Sequence, residues 1–315
     1  MSTTLIPFTK MAGTGNDFLI VRPDARLRRR FGAQWAAAAR QWCDRRLGVG
    51  ADGLLVIEPS RRADSRLPAA LRLSAVSSPT QAGVAQAGMR IFNTDGSEAE
   101  MCGNGARCVA RYLISASPRG TRGHATVDTC AGVLRADVRG DHVAITMPAP
   151  RDLRLSVPVQ LRGRRLHVHS VNTGVPHAVV PVVSLSRMDV ASLGRQLRFH
   201  PAFQPAGTNV NFMEADARHP NRVKIRTYER GVEGETLACG TGATASAILY
   251  AVANETNGAS GRRQVTVETQ GGDTLMISFS VRRPAGRWQI SDVVLAGAVR
   301  WICQGVVPWP IKGGR

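Results

Sequence analysis

Lysine is nearly missing from this chain. Lys10, Lys224 and Lys312 are the only three, so 38 of the 41 basic residues are arginine. With 23 acidic residues the net charge is +18 and the isoelectric point is about 11.2. Such a balance raises nucleic-acid binding as a reading. Aromatic residues are also scarce, at 5% of the chain, too few for a base-stacking platform. The arginines are spread along the chain, with short clusters at Arg26–Arg30, Arg61–Arg62 and Arg162–Arg165. Nucleotide bias in the coding sequence accounts for them more simply, and nucleic acid is not expected as a partner.

Long apolar runs are absent: none approaches the ~18 residues of a membrane span. The opening MSTTLIPFTKMAG lacks a basic region and a long apolar stretch, so no secretory signal is expected. Six cysteines occur without a single Cys-x-x-Cys, and the nearest pair, Cys102 and Cys108, has poor zinc-ligand spacing. They read as reduced cytoplasmic thiols, with no metal expected. What remains is a globular composition, 43% hydrophobic and 20% charged. At roughly 150 residues per domain, 315 residues suggest two domains.

Period-2 and period-3.6 patterns alternate along the chain. Strands are expected at Ile6–Lys10, Phe18–Val21, Leu54–Ile57 and Met89–Asn93, with a helix over Phe31–Leu47. Pro59–Gly88, rich in Ser, Ala, Pro and Arg, reads as a surface insertion. Ala106–Ser115 is a helix, followed by strands at Ala125–Thr129, Val133–Val138 and His142–Met147. Met147–Pro150 is the candidate linker. Beyond it, Ala178–Val183, Val210–Met213 and Val223–Tyr228 are strands, and Asp189–Phe199 and Ala243–Ala253 are helices. Strands at Val265–Thr269, Leu275–Phe279 and Val293–Ala298 close the pattern.

Two stretches can be laid over one another. Asp95-Gly96-Ser97-Glu98, then Met101-Cys102-Gly103-Asn104-Gly105-Ala106, matches Glu233-Gly234-Glu235, then Ala238-Cys239-Gly240-Thr241-Gly242-Ala243. A fainter match joins Thr14-Gly15 to Thr173-Gly174. Two copies exclude a solenoid and imply a duplicated domain. In each copy, glycines after the cysteine allow a tight turn with exposed N–H groups. A helix N-terminus adds unpaired donors and partial positive charge, which suit a carboxylate. The same field lowers a thiol's pKa from about 8.5. Two ionisable thiols beside anion seats suit stereochemical inversion, one thiol on each face of a carbon. Cys43, Cys108, Cys130 and Cys303 lack this context and read as structural.

With these words in place, the sequence resembles the diaminopimelate epimerase family. The resemblance rests on Lys10-Met11, Gly13 to Phe18, Gly50-Ala51-Asp52-Gly53, Phe92 to Ser97 and Met101 to Cys108. It continues through Gly174-Val175-Pro176-His177, Asn209 to Phe212, and Tyr228-Glu229-Arg230-Gly231 to Ala243. It implies an α/β (α+β) fold of two pseudo-symmetric domains, each a mixed sheet wrapped around a central helix, with the site between them. The domains would be 1–147 plus 300–315, carrying Cys102, and 148–299, carrying Cys239.

The activity implied is epimerisation of LL-2,6-diaminopimelate to the meso form, a step of lysine and peptidoglycan precursor synthesis, without pyridoxal phosphate or metal. Cys102 and Cys239 would be the acid–base pair. Backbone N–H groups of Gly103, Asn104, Gly240 and Thr241 would hold the reacting carboxylate. Asn16, Asn93, Asn209 and Arg230 would read the far end of the substrate, Arg230 by a forked ion pair. Glu229 and His177 would orient the reacting amino group or assist a thiol. A homodimer without membrane or cofactor is implied, and facing thiols would make the enzyme reversibly sensitive to oxidants.

Two positions depart from the family pattern: Gly53 where some members carry glutamine, and Val175 where some carry asparagine, with Asn172 the candidate replacement. The competing enzyme reading is a proline or hydroxyproline racemase or an aconitate-type isomerase. Asn104 and the Tyr228-Glu229-Arg230-Gly231 run favour a long substrate with two carboxylates, since proline offers none to Arg230. A nucleic-acid-binding protein on a degenerate epimerase fold competes from another class, and the two intact thiol motifs stand against it.

Overall fold

The computed structural model describes residues 4–32, 34–60, 84–115, 121–130, 132–161, 163–255 and 260–309. The chain divides into two compact units, Met1–Ile145 with Ala298–Arg315, and Thr146–Gly297. The last strand, Gln289–Trp309, runs 21 residues and gives its first part to the second unit and its remainder to the first.

In the first unit the end of that strand pairs antiparallel with Thr4–Gly13, which pairs antiparallel with Asn16–Val21. Asn16–Val21 runs parallel to Gly53–Glu58, and that strand is antiparallel to Val84–Asn93. Val84–Asn93 runs parallel to Arg122–Thr129, and two antiparallel steps to Gly132–Arg139 and His142–Thr146 complete the ladder. The second unit repeats this order and these directions: Arg151–Leu161, Arg164–Asn172, Pro176–Pro181, Asn209–Ala215, Arg222–Glu229, Gly261–Glu268, Thr274–Arg282, then the start of Gln289–Trp309. Each unit is thus a mixed sheet that follows one plan.

Each sheet wraps around one helix. Gly103–Ser115 packs against Thr4–Gly13, Asn16–Val21, Gly53–Glu58, Val84–Asn93, Arg122–Thr129 and Gly132–Arg139. Gly240–Ala253 packs against the six strands that hold the corresponding places in the second unit, from Arg164–Asn172 to Thr274–Arg282. A helix enclosed by strands must be apolar and small on all sides. Ala106, Cys108, Val109 and Ala110 are fully buried, as are Ala243, Ala245, Ala247, Ile248 and Leu249. Truncating one of the larger of these to alanine costs about 2–5 kcal/mol.

A second apolar layer lies outside each sheet. In the first unit, Ala25–Phe31 and Trp35–Trp42 enclose Trp309, whose ring centroid lies 5.4 Å from Trp35 and 5.3 Å from Trp42. The end of the last strand is therefore anchored in the core of the first unit. Val190–Arg198 takes the matching place in the second unit, started by Asp189, whose side chain accepts from the Ser192 N–H.

Two helices stand where one was expected over Phe31–Leu47: Ala25–Phe31, which precedes that range, and Trp35–Trp42 within it. The first is capped by Asp24, which accepts the Leu27 N–H at 2.7 Å. The second ends at Trp42, where the Val49 and Gly50 N–H groups close on the Trp42 carbonyl and Asp44 takes the N–H groups of Arg46 and Leu47. The segment read as an insertion lies largely outside the described residues, at 61–83, but Val84–Gly88 belongs to a strand. The hairpin Arg151–Leu161 and Arg164–Asn172, which was not among the expected strands, carries the less exposed Leu153, Leu155, Val157, Val159 and Leu161 on alternate positions and has exposed Arg151, Arg154, Arg164 and Arg165.

Candidate active site

Cys102 immediately precedes the helix Gly103–Ser115, and its Sγ accepts the Gly105 N–H at 3.4 Å. Cys239 caps Gly240–Ala253 in the same way, its Sγ accepting the Gly242 N–H at 3.4 Å. The carbonyls of both cysteines accept the first intrahelical bond, from Ala106 at 2.9 Å and Ala243 at 2.8 Å. Both thiols therefore sit at the positive end of a helix, where an anion is favoured. The N–H groups of Gly103 and Asn104, and of Gly240 and Thr241, occupy the first turns, which have no intrahelical acceptors. Cys102 is half-buried and Cys239 buried, the latter also 3.3 Å from the Thr241 hydroxyl.

Behind the first motif, side chains fix the start of the helix. The Asn104 amide donates to the Thr14 carbonyl at 3.3 Å and to Asn16 Oδ1 at 2.8 Å. Asn16 in turn donates to Asp52 at 3.1 Å. Arg107, fully buried, donates to Asn104 Oδ1 at 3.0 Å and to the Thr14 hydroxyl. Arg45 bridges Asp17 and Asp52 at 2.6 and 2.8 Å, and Lys10 reaches Asp17 at 3.0 Å. Burial raises the Asp17 pKa, but hydrogen bonds from Arg45 and Lys10 outweigh it and leave the carboxyl below its usual range. Asn93, the last residue of its strand, donates to the Ser97 hydroxyl at 2.9 Å. A side chain at Gly53 would place its Cβ 2.9 Å from the Phe92 carbonyl oxygen, so this backbone leaves no room for glutamine.

In the second unit His177 and Asn209 are ladder partners on parallel strands. The Asn209 amide accepts the Arg230 N–H at 2.8 Å and donates to the Pro176 carbonyl at 3.1 Å. The Arg230 guanidinium meets the Ala206 carbonyl at 3.1 Å. Burial pushes Glu229 above the usual carboxylate range, with a hydrogen bond from Thr236 pulling the other way. His177 is buried, and burial together with the charge of Arg230 lowers its pKa to about 3. A cavity of about 510 Å³ in this unit is bounded by Arg154, Asn172, Pro176, His177, Gly207 and Thr208.

The structure therefore gathers Asn16, Cys102, Gly103 and Asn104 at one helix start, with Asn93 elsewhere in the same unit. It places His177, Asn209, Glu229, Arg230, Cys239, Gly240 and Thr241 in the second unit. Three residues given no role in the sequence reading take part: Thr14, Arg107 and Asn211. Their bonds join positions far apart in the chain, and only the alternation of Asn209 and Asn211 on one strand hinted at the last.

The family model described as diaminopimelate epimerase matches residues 8–151 and 169–293. A diaminopimelate epimerase from Aquifex aeolicus is 37% identical over 309 residues, covering 95% of this chain and 96% of its own. One from Archaeoglobus fulgidus is 39% identical over 285 residues, covering 85% and 87%. Among solved structures, a phenazine biosynthesis protein of the PhzF family from Bacillus anthracis superposes with a TM-score of 0.67 at 15% identity, over 96% of this chain and 99% of that one. A hydroxyproline epimerase from Agrobacterium vitis gives 0.64 at 16% identity, over 96% and 92%. These two likenesses concern the fold alone. The family model and the relatives both extend along most of the chain and include both cysteine motifs, so the chain belongs to the diaminopimelate epimerase family.

Proposed function

We propose that this chain interconverts LL- and meso-2,6-diaminopimelate by moving one proton at an α-carbon between the thiols of Cys102 and Cys239. The observation that carries the reading is the matched pair of thiol seats, each Sγ accepting an N–H of the helix turn that follows it at 3.4 Å.

One cysteine acts as thiolate and removes the α-proton; the electron pair remains on the carbon and its carboxylate. The other cysteine, a thiol, delivers its proton to the opposite face. The substrate is inverted, and the two sulfurs have exchanged protonation states without any change in oxidation. Positioned proton transfer supplies about 10²–10⁴-fold. The remainder comes from fixed dipoles facing the developing negative charge, here the first-turn N–H groups of Gly103, Asn104, Gly240 and Thr241.

At the far end, Arg230 pairs with the distal carboxylate, and Asn16, Asn93 and Asn209 read its surroundings. Asn16 and Asn209 are each held by bonds at both ends of the amide, and each keeps one N–H and one oxygen lone pair for a ligand. Glu229 and His177 serve the reacting end. The reading carries with it a cytoplasmic homodimer whose thiols stay reduced.

The experiment is incubation with LL-diaminopimelate in D₂O under reducing conditions, followed by mass spectrometry and chiral separation, for the wild type, Cys102→Ala and Cys239→Ala. One deuterium at one α-carbon together with the meso isomer is expected from the wild type, and no epimerisation from either variant. No exchange by a folded, reduced wild type, or undiminished epimerisation by either variant, would refute it.

A further inference from the structure

Asn211 lies fully buried on the strand Asn209–Ala215, two residues beyond Asn209. Its Oδ1 accepts the Thr227 hydroxyl at 2.9 Å. Its Nδ2 is 3.2 Å from the Ala178 carbonyl oxygen and 3.1 Å from His177 Nδ1. A backbone carbonyl can only accept, so the atom facing it is the NH₂ group and the amide has one permissible orientation. The second hydrogen of that NH₂ points at His177 Nδ1, which must offer its lone pair. A proton on Nδ1 would set two donors against each other.

From this geometry we infer that Asn211 is a positioning residue that fixes His177 as a neutral imidazole with its proton on Nε2. Burial acts in the same direction, since His177 is 1% exposed and Arg230 is the charged group that acts on it. Nε2 is itself buried and has no hydrogen-bond partner among the described residues. A buried donor of this kind is made for an acceptor.

The identity of that acceptor rests on the proposed epimerase reading. An N–H donor cannot hold an ammonium group, so His177 does not orient the substrate's amino group. It serves an anion at the reacting centre, a thiolate or a carboxylate, and the amino group is left to Glu229. Asn211 also lies directly against the helix start, because a Cβ on Gly242 would come within 2.3 Å of its Oδ1. One buried amide thus sets both the polarity of His177 and the approach of the turn that seats Cys239.

The test uses the full chain with ¹⁵N-labelled imidazole rings. Long-range ¹H–¹⁵N correlation spectra separate the two neutral tautomers from the imidazolium, and His177 is assigned by comparison with His177→Gln. Unprotonated Nδ1 and protonated Nε2 are expected, unchanged between about pH 5 and 8. In Asn211→Asp, whose carboxylate offers only acceptors, the proton is expected to move to Nδ1. Its kcat should fall about 10²-fold with KM little altered, the loss typical of removing one preorganised donor.

A protonated Nδ1 in the wild type, or an imidazolium titrating in that range, overturns the proposal whether or not the variant folds. So does an Asn211→Asp enzyme that keeps both the original tautomer and its kcat. A wild type with the Nε2–H tautomer but no epimerase activity would support the role of Asn211 and refute the function instead. If the Nε2–H signal shifts in Cys102→Ser or Cys239→Ser, the acceptor is a thiolate; if it shifts only on adding diaminopimelate, the acceptor is a carboxylate. Either supports an anionic acceptor, and no shift under any of these conditions overturns that part.

Discussion

Gly105 and Gly242 hold the same place in the two motifs, the third residue of the helix after the cysteine, yet alanine should be costly at Gly242 and nearly neutral at Gly105. At Gly242 an added Cβ would lie 2.3 Å from Asn211 Oδ1 and 3.2 Å from its Cγ. That amide cannot yield cheaply, because it bonds Thr227, His177 and Ala178. Displacing it gives up three hydrogen bonds worth about 1 kcal/mol each, with buried partners left unpaired. Against this stands about 1 kcal/mol gained from alanine's helix propensity. The net cost of Gly242→Ala is therefore about 2–4 kcal/mol. At Gly105 the Cβ meets Leu55 Cδ2 at 3.1 Å, a terminal methyl that can move by a few tenths of an ångström. The propensity gain then roughly cancels the crowding, and Gly105→Ala should stay within about 1 kcal/mol of wild type. Urea unfolding with an unchanged m-value measures both. In an Asn211→Ala background the Gly242→Ala penalty should shrink below about 1 kcal/mol, because the obstacle has gone. A near-neutral Gly242→Ala, a Gly105→Ala that costs as much, or an undiminished penalty in the double variant would refute the argument.

Cys43 and Cys108 are buried and their thiols are pushed up to about 12 by burial, so iodoacetamide at pH 8 should leave both unmodified in the folded chain and label both once it is unfolded. Peptide mapping checks this, and labelling of either in the native state would contradict it; Cys130 and Cys303 are exposed and should react readily. The raised pKa of Glu229 means that the folded state binds its proton more tightly than the unfolded state. Its stability contribution is complete below the unfolded carboxylate pKa and is lost as pH rises through the folded value. Glu229→Gln should therefore be more stable than wild type at pH 7, and the difference should close towards pH 4, as followed by thermal unfolding, while epimerase activity is lost. Asp17 has the opposite sign, a lowered pKa whose stabilisation is present above the unfolded value and fades as pH falls through the folded one. Asp17→Asn should cost about 2–3 kcal/mol at neutral pH, since Lys10 and Arg45 both lose a charged hydrogen-bond partner, and a neutral variant would show that network to be idle.

How much of this could be read from the sequence depended on how local each signal was. The strands showed because apolar residues alternate along them, as in Gly132–Arg139, or run continuously, as in Gly53–Glu58, and the two enclosed helices showed because small residues follow a Cys-Gly-x-Gly word. The first strand of the Arg151–Leu161 and Arg164–Asn172 hairpin was legible and went unread: Leu153, Leu155, Val157, Val159 and Leu161 alternate along it with exposed Arg154, Ser156, Pro158 and Gln160. Trp35–Trp42 was legible by its apolar face, but its ends were not, since Gln34 gives its start no side-chain cap and Asp44 holds a turn beyond its end that composition alone does not announce. The last strand was read as Val293–Ala298, whereas Trp309 completes it by filling an aromatic cluster built from residues almost 270 positions earlier. Long-range contacts of that kind leave no mark at short spacing.

The site divides along the same line. The features shared by both copies belong to the backbone: a thiol before a helix, glycines after it, and N–H groups in the first turn. A repeat makes such features visible, and they are the ones a reaction at the two faces of one carbon needs twice. The side chains behind them differ. Phe18 and His177 stand at matching ladder positions, opposite Gly53 and Asn209. Leu55 presses on Gly105 where Asn211 presses on Gly242. The first copy is thus apolar where the second carries an imidazole and two amides, and a strand further it has Asn93 and Thr94 where the second has Glu229 and Arg230. A substrate with one inverting centre and a long, unequal remainder requires that pattern, duplicated where proton transfer is symmetric and divergent where the rest of the molecule is held. It also explains why Asn211 went unread: its counterpart in the first copy is the apolar Leu55, and its partners come from Pro176–Pro181 and Arg222–Glu229, strands that meet it only once the sheet has formed.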